Sequence, residues 1–358
     1  MGAFDKIGLH VIAGGIPAEK LATAPVLCLV DCSVEYINEV RAANPTAWIV
    51  VRWVYQGDQN AALRDPEKAA DAWWAERQAA IMATKGPRTV YQGMNEIGSG
   101  ISDLYVRYEE RRAGHLWGVG AGFGLGAWSV GEPDYPVWPR FWRVLQGMGA
   151  GDALLLHEYW ADASDLGKRW YTARWTDERV WPMVRGRNII VTECGRDKIG
   201  ARGQPGWRLT INAETFLMEV ARYNELLNQT PDVKGGCLFT GGVLGEWRDF
   251  DANQLWPRIV ATQERGEPVT VEPLPEHETA RDPETIAEKI RWYTEEVLRR
   301  LEQAGEPPES YAMRVLYGLT DRERGLMYRL ERILKGYVDT SEKHGDGVDT
   351  YWRPPQSE

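Results

Sequence analysis

The sequence predicts a (β/α)8 barrel followed by a C-terminal helical extension. Short runs of β-branched and other apolar residues alternate with longer helical patterns, which is typical of βα units around a parallel sheet. Two of these runs, within residues 89–98 and 188–195, deliver a glutamate at their C-terminal ends and are then broken by glycine. In a (β/α)8 barrel the functional groups lie at the strand ends and in the loops after them. A chain of 358 residues is long enough for one barrel of about 250 residues and a smaller appendage.

The first hundred residues contain four predicted strands. Ser33 is a candidate N-cap for a helix that ends near residue 43. Asp65, Pro66 and Glu67 predict the start of a second helix, because an N-cap aspartate, a proline at the first helical position and an acid in the first turn agree with one another. The predicted strands are residues 7–13, 26–31, 47–55 and 89–95.

The alternation continues with four more predicted strands. The fifth, at residues 117–123, is rich in glycine, which weakens a strand unless backbone or a ligand comes close. Right-handed crossovers leave few other topologies for eight such units. A doubly wound open sheet is the rival, but it requires a glycine fingerprint after the first strand, and Gly14-Gly15 is too short to be one. The other strands are predicted at residues 153–159, 188–193 and 235–240, and the remaining helices at residues 102–113, 139–147, 212–228 and 253–263.

The character of the chain changes after the predicted barrel domain, residues 1–264. Residues 265–282 are rich in proline and acidic residues, which predicts a linker laid along a surface. Residues 283–340 contain two amphipathic helical patterns, each with an apolar face to bury against the barrel or against a second copy of the chain. We therefore expect a helical extension through which a homo-oligomer can form, and a loosely ordered tail at residues 341–358.

Composition excludes several classes of partner. A net charge of -10 and a pI near 5.3 argue against nucleic acid or an anionic membrane. No run approaches a membrane span, and the first residues lack the regions of a signal peptide, so we expect a soluble protein that is cytoplasmic or exported without a cleaved signal. The 4 cysteines have no metal-ligand spacing and are predicted to be buried free thiols. We expect no metal and no cofactor.

Tryptophan is unusually frequent, with 17 copies against 6 phenylalanines. An indole can stack on a sugar ring through its flat face and can donate a hydrogen bond from its N–H edge. The plainer interpretation, that most of these side chains pack between helices and barrel, applies to any tryptophan away from a strand end.

Glu96 directly follows the predicted fourth strand, and Glu193 ends the predicted seventh. They therefore approach one another across the barrel mouth at a separation that the barrel fixes. Hydrolysis of a glycosidic bond takes two carboxyl groups that flank the anomeric carbon, one to protonate the leaving oxygen and one to attack or to activate water. A fixed separation of about 5 Å suits the retaining geometry. A lone glutamate at a strand end is more often a solvated loop residue or a helix cap, but a pair in these positions favours catalysis.

The sequence here resembles clan A of the glycoside hydrolases, over roughly residues 5–262. The resemblance rests on strand order, on the pair Asn95-Glu96 and on Glu193 in the run VTECG. It implies a (β/α)8 barrel in which Glu96 is the acid/base, Glu193 is the nucleophile and Asn95 donates to a sugar 2-hydroxyl.

A third motif supports the same resemblance. His157-Glu158-Tyr159 on the sixth strand is similar to the His-x-Tyr of clan A, which implies that both rings face the site and that Tyr159 hydrogen-bonds the nucleophile. Glu158 points to the other side of the strand and is predicted to be structural. The Tyr159 phenol and the Arg52 guanidinium would hold Glu193 ionised, although the resemblance implies an arginine from a strand earlier than the third.

The end of the eighth strand departs from the clan. Clan A commonly places a tryptophan there as a sugar platform, whereas this strand ends in FTGG. The candidate substitutes follow other predicted strands or lie in the next loop: Trp53, Trp128, Trp160 and Trp247.

These residues predict a retaining glycoside hydrolase that cleaves β-linked oligosaccharides or polysaccharides. The alternative is a catalytically silent barrel that binds carbohydrate and docks into a larger assembly, such as a phage particle or a cell-surface complex, through the C-terminal helices. A non-glycosidic hydrolase on the same scaffold is a weaker option, because fold alone does not fix chemistry. Its usual sequence signals are missing, namely a metal cluster, a Ser-His-Asp order or a phosphate loop.

Overall fold

A computed structural model of the chain describes residues 4–197 and 206–265. Within them, eight parallel strands close into a barrel in sequential order, so the predicted (β/α)8 fold is confirmed. The predicted linker at residues 265–282, the helical extension at 283–340 with its proposed oligomer contacts, and the tail at 341–358 lie outside the described residues, except for Arg265.

The strands are β1 Ile7–Ile12, β2 Val26–Val30, β3 Trp48–Arg52, β4 Thr89–Gln92, β5 Gly122–Trp128, β6 Ala153–Trp160, β7 Asn188–Arg196 and β8 Val233–Gly242. The α-helices are α1 Val34–Ala43, α2 Gln59–Ala62, α3 Pro66–Thr84, α4 Ser102–Gly118, α5 Trp142–Gly147, α6 Trp181–Val184, α7 Trp207–Thr210, α8 Ala213–Asn228 and α9 Trp256–Arg265.

The helix starts follow local capping chemistry. Ser33 accepts a hydrogen bond from the backbone N–H of Tyr36 at the start of α1, and Asn212 accepts one from Thr215 at the start of α8. Asp65 occupies the N-cap position of α3 as predicted, but its side chain makes no capping hydrogen bond. The start of α3 therefore depends on the proline at its first turn, which is already restricted to a helical φ.

The prediction of a strand at residues 117–123 is wrong by about five residues. Helix α4 continues to Gly118, with Leu116 fully buried, and β5 starts only at Gly122. The glycine lets neighbouring strands approach closely, because a Cβ atom at Gly122 would lie 2.3 Å from the carbonyl oxygen of Thr89. Glycine occupies three alternate positions of this strand, residues 122, 124 and 126, so the strand lacks the apolar run that marks the others.

Alternation along the strands divides the core into two layers. Buried side chains on the strands from β2 to β8 form one cluster inside the barrel, with Cys28, Val50, Val90, Leu155 and Ile190 among its members. A larger cluster fills the space between the strands and the surrounding helices. Because alternate residues face the interior, the last inward position of a strand points into the mouth of the barrel.

All four cysteines are buried and free, as the sequence predicts. Among the described helices, none combines the length and the apolar character that a membrane crossing needs.

Candidate active site

Side chains from four strands converge at the C-terminal end of the barrel. Arg52 is the last residue of β3, and His10 lies two residues before the end of β1. His157 and Tyr159 take alternate positions near the end of β6, and Glu193 lies beside them on β7, paired in register with His157. The inward faces of these strands therefore carry charged and polar groups above an apolar interior.

Glu193 is buried, and each of its carboxylate oxygens accepts a hydrogen bond. Arg52 Nη1 lies 2.7 Å from Glu193 Oε1, and the Tyr159 hydroxyl donates to Oε2 at 2.9 Å. Burial alone would raise the pKa of Glu193, but His157, Arg52 and the Tyr159 hydrogen bond outweigh it and lower the pKa to about 2. This carboxylate is therefore ionised at neutral pH.

Burial shifts the pKa values of two groups beside Glu193, Tyr159 and His10, in opposite directions. Burial raises the pKa of Tyr159 well above its usual value, helped by the charge of Glu193, so the phenol keeps its proton and remains a donor. Burial lowers the pKa of His10 to about 3, although the ring lies near Glu193 with Nε2 3.7 Å from Oε1. His10 is thus neutral at pH 7, and Arg52 supplies the permanent positive charge beside Glu193.

Glu96 is the exposed member of the pair. It follows β4 in the left-handed backbone region, with φ of 55°, and its N–H donates to the carbonyl of Ala127 at 2.9 Å. Its side chain is 45% exposed, and Oε1 lies 3.0 Å from His157 Nδ1. Unlike Glu193, Glu96 has no guanidinium or phenol among its hydrogen-bond partners in the described residues.

Glu96 and Glu193 meet across the mouth. One oxygen of each, together with a ring nitrogen of His157, lies within 4.8 Å of the other two. Three such atoms could offer ligands to a small divalent cation. The guanidinium of Arg52 on Glu193 opposes this, because it is a fixed positive charge in contact with one of the three ligands.

Asn95 is held by the side chains of two glutamines. Gln59 accepts from the backbone N–H of Asn95 at 2.8 Å and donates to its carbonyl at 3.2 Å. Gln92 donates to the Asn95 side-chain oxygen at 2.8 Å. The amide N–H groups of Asn95 are thereby left to act as donors, which is the role that the resemblance to clan A implies.

Comparisons with known proteins found similarity only to solved structures. No protein-family model and no curated protein matches the sequence. An endo-beta-1,4-glucanase of Xanthomonas axonopodis pv. citri, carrying a triple mutation, is 12% identical with a TM-score of 0.47, over 73% of this chain and 99% of that chain. The catalytic domain of Thermobifida fusca endoglucanase Cel5A, in complex with cellotetraose, is 14% identical with a TM-score of 0.41, over 66% of this chain and 79% of that chain.

The fold is a (β/α)8 barrel. The closed ring of eight strands establishes this, and similarities at such low identity say nothing further about chemistry.

Glu158 is separated from the other glutamates by the strand itself. Tyr223 donates to its Oε2 at 2.6 Å and the backbone N–H of Arg174 donates to Oε1 at 3.2 Å, both from the layer outside the barrel. Burial raises the pKa of Glu158 to about 7, and these hydrogen bonds only partly offset that effect. This matches the prediction that Glu158 is structural.

Two aromatic neighbours of the site were missed by sequence reasoning. His10 Nδ1 lies 2.8 Å from Thr240 Oγ1, and its ring centroid lies 4.8 Å from that of Phe239. The ring of Phe239, at the end of β8, also meets Tyr159 edge-on at 6.0 Å. Both residues occupy inward positions near the ends of their strands, and that alternation is the only sequence signal that could have identified them.

A further carboxylate, Asp197, lies directly after β7. Alternation places it on the same side of the strand as Glu193, and its N–H donates to the carbonyl of Trp160 at 2.9 Å. Burial raises the pKa of Asp197 to about 6, with a smaller contribution from the charge of Glu96. No motif marks this residue, so the sequence alone did not single it out.

Two of the four predicted sugar platforms are wrong. Trp128 is 1% exposed and packs against Phe141 behind β5, because the register shift between Gly126 and Trp128 turns it outward. Trp160 is 0% exposed, since it follows the inward-facing Tyr159 and must point the other way. Its indole donates to Glu219 of α8 at 2.8 Å.

The other two candidate platforms, Trp53 and Trp247, differ in their surroundings. Trp53 follows the inward-facing Arg52, is half-buried and stacks on Tyr91 at 6.0 Å with an interplanar angle of 8°, in the layer outside the strands, so its role as a platform stays a prediction. Trp247 is 41% exposed and meets the ring of Phe239 edge-on at 5.3 Å. Trp247 is therefore the predicted platform residue that lies beside the cluster around Glu193.

Proposed function

We propose that this chain is a retaining glycoside hydrolase that cleaves β-linked glycosides through Glu96 and Glu193. The observation that carries the proposal is the approach of these two carboxyl groups to within 4.8 Å, one held ionised and one exposed. Retaining glycosidases place their two carboxyls about 5–5.5 Å apart, whereas inverting enzymes need about 6.5–9.5 Å to admit a water.

The assignment of roles follows from the environments of the two groups. Glu193 accepts from Arg52 and Tyr159, so its negative charge is stabilised before substrate arrives. Glu96 is exposed and lies 3.0 Å from His157 Nδ1, so it is the carboxyl placed to exchange a proton with the leaving oxygen. Glu193 is thus the nucleophile and Glu96 the acid/base.

In the first step, Glu193 forms a bond to the anomeric carbon while the bond to the leaving oxygen breaks. Glu96 transfers its proton to that oxygen, which departs as an alcohol and leaves a glycosyl ester on Glu193. Glu96 is now a carboxylate and removes a proton from water, whose oxygen attacks the anomeric carbon. The ester bond breaks, and both glutamates return to their starting states.

Substrate contacts are proposed from the neighbouring groups. The free amide N–H groups of Asn95 donate to a sugar hydroxyl, and the rings of Phe239 and Trp247 offer an apolar surface beside Glu193. Phe239 takes the place at the end of β8 where the resemblance leads us to expect a tryptophan.

Hydrolysis of a panel of aryl glycosides and polysaccharides tests the proposal. We expect release of the phenol from β-configured substrates and none from their α-anomers, because nucleophile and acid approach from fixed sides of the site. Calorimetry with the matching oligosaccharides accompanies the assay. Binding without turnover over days would contradict the proposal and favour the catalytically silent, carbohydrate-binding barrel.

A further inference from the structure

We propose that Trp170 forms a second sugar-binding platform, so that the ligand of this site is a chain of several sugar units lying across the barrel mouth. This inference rests on the proposed function for the position of the scissile bond. The platform itself is formed by the loops after β5 and β6.

Trp170 is an exposed indole held in place. It lies in the segment that follows β6 and is 44% exposed. The Arg174 guanidinium lies 5.0 Å from the indole centroid, and the Tyr135 ring meets the indole at 6.3 Å. A Cβ atom at Gly131 would lie 2.6 Å from the indole, so the ring rests on backbone there. An exposed tryptophan fixed on one side offers a pre-formed flat surface, and little conformational entropy is lost on binding.

Arg174, whose guanidinium supports this platform, is itself buried and hydrogen-bonded. Arg174 is 3% exposed and donates to the carbonyl of Pro133, while its backbone N–H donates to Glu158. Its guanidinium also lies 4.7 Å from the centroid of Tyr135. Arginine and rings thus form a stack that fixes the loop after β6 against the loop after β5.

The same loops are tied to the segment after Glu96. Glu132 accepts hydrogen bonds from the backbone N–H and the hydroxyl of Ser99, three residues beyond Glu96. The backbone N–H of Asp134 donates to Ser99 Oγ at 2.8 Å. Trp170 therefore belongs to the part of the mouth built around the loop of the proposed acid.

The barrel order places the two exposed tryptophans on different sides of the carboxyl pair. A line from β4 to β7 divides the ring of strands into a short arc, β5–β6, and a long arc, β8–β1–β2–β3. Trp170 lies in the loop after β6 on the short arc, and Trp247 lies in the loop after β8 on the long arc. A chain that crosses the line between Glu96 and Glu193 thus meets an indole on each side.

The ligand class follows from these surfaces. A β-linked pyranose chain with equatorial hydroxyls presents C–H faces that stack on indoles, and a chain that spans both arcs offers a separate sugar ring to each indole. We therefore assign to this site an oligosaccharide or polysaccharide that is cleaved within the chain.

Calorimetry on E193Q tests the inference without depending on turnover. The probes are β-1,4-linked gluco-, manno- and xylo-oligosaccharides of two to six units. We expect affinity to increase with chain length, and W170A in the E193Q background to lower the hexasaccharide-to-disaccharide affinity ratio about tenfold, as for a well-packed aromatic contact. W170F retains a ring and should restore part of that ratio.

Trp117 provides the matched control. It is 39% exposed, but it lies in the last turn of α4 and donates to Asp152 just before β6, at the opposite end of the barrel. W117A in the same background should leave the ratio unchanged. The inference would be overturned if W170A lowered the affinity for short and long probes equally, or lowered neither. It would also be overturned if affinity did not depend on chain length. A third outcome separates this inference from the proposed function. If binding depends on chain length and on Trp170 but the wild type hydrolyses none of the probes, the proposed function is refuted and this inference stands.

Discussion

Replacement of Glu193 by glutamine is expected to reduce turnover of an activated aryl glycoside by on the order of 10⁴-fold or more, as for other catalytic nucleophiles. The amide cannot form the glycosyl ester, and it leaves Arg52 without the carboxylate it pairs with at 2.7 Å. Steady-state kinetics measure the effect, and thermal unfolding checks that the variant folds.

Glu158 supplies the matched control for this substitution. It is a buried glutamate whose Cα is paired in register with Cys194, next to Glu193, but its carboxyl faces Tyr223 and not the mouth. E158Q retains an oxygen that can accept from Tyr223, so we expect it to keep most of the wild-type turnover. Near-normal turnover in E193Q, or equal losses in both variants, would show that Glu193 is not the nucleophile.

Replacement of Glu96 by glutamine is expected to produce a loss that depends on the leaving group. General acid catalysis contributes about 10²–10⁴-fold, and it matters most when the departing oxygen is a poor leaving group. We therefore expect E96Q to retain far more activity on a dinitrophenyl glycoside than on an unactivated oligosaccharide.

The comparison of kcat/KM for the two substrates measures this difference. Equal losses with both leaving groups would contradict the assignment of Glu96 as the acid. A strong leaving-group dependence in E193Q in place of E96Q would exchange the two roles.

Sequence patterns predicted the features of this fold that depend on local periodicity. Eight strand-like runs with intervening helical patterns specify a closed parallel barrel, because crossover handedness leaves few alternatives. Once β4 and β7 are identified, the meeting of Glu96 and Glu193 follows from the topology. The spacing of His157 and Tyr159 likewise follows from the period of two along a strand.

Features that depend on local irregularities of the backbone could not be predicted from the sequence. The register shift before Trp128 turns that side chain outward, and nothing in the run GFGLGAW marks where the shift falls. The start of β5 was misplaced because its glycines serve close backbone approach and carry no apolar pattern.

Site residues that belong to no sequence motif could not be predicted for a different reason. His10 lies on β1, Phe239 lies on β8 and Asp197 directly follows β7, so only the assembled barrel brings them together. The exposure of Trp170 and Trp247 likewise depends on the packing of their loops and on no feature of their sequence neighbours.

The stereochemistry of the first-formed product tests the central claim most directly. A β-aryl glycoside identified as a substrate is hydrolysed in an NMR tube, and the anomeric proton of the released sugar is followed before mutarotation. A carboxyl pair within 4.8 Å that works by two displacements predicts the β-anomer first. Initial release of the α-anomer would mean a single displacement by water, and it would contradict the proposed role of Glu193 as a nucleophile.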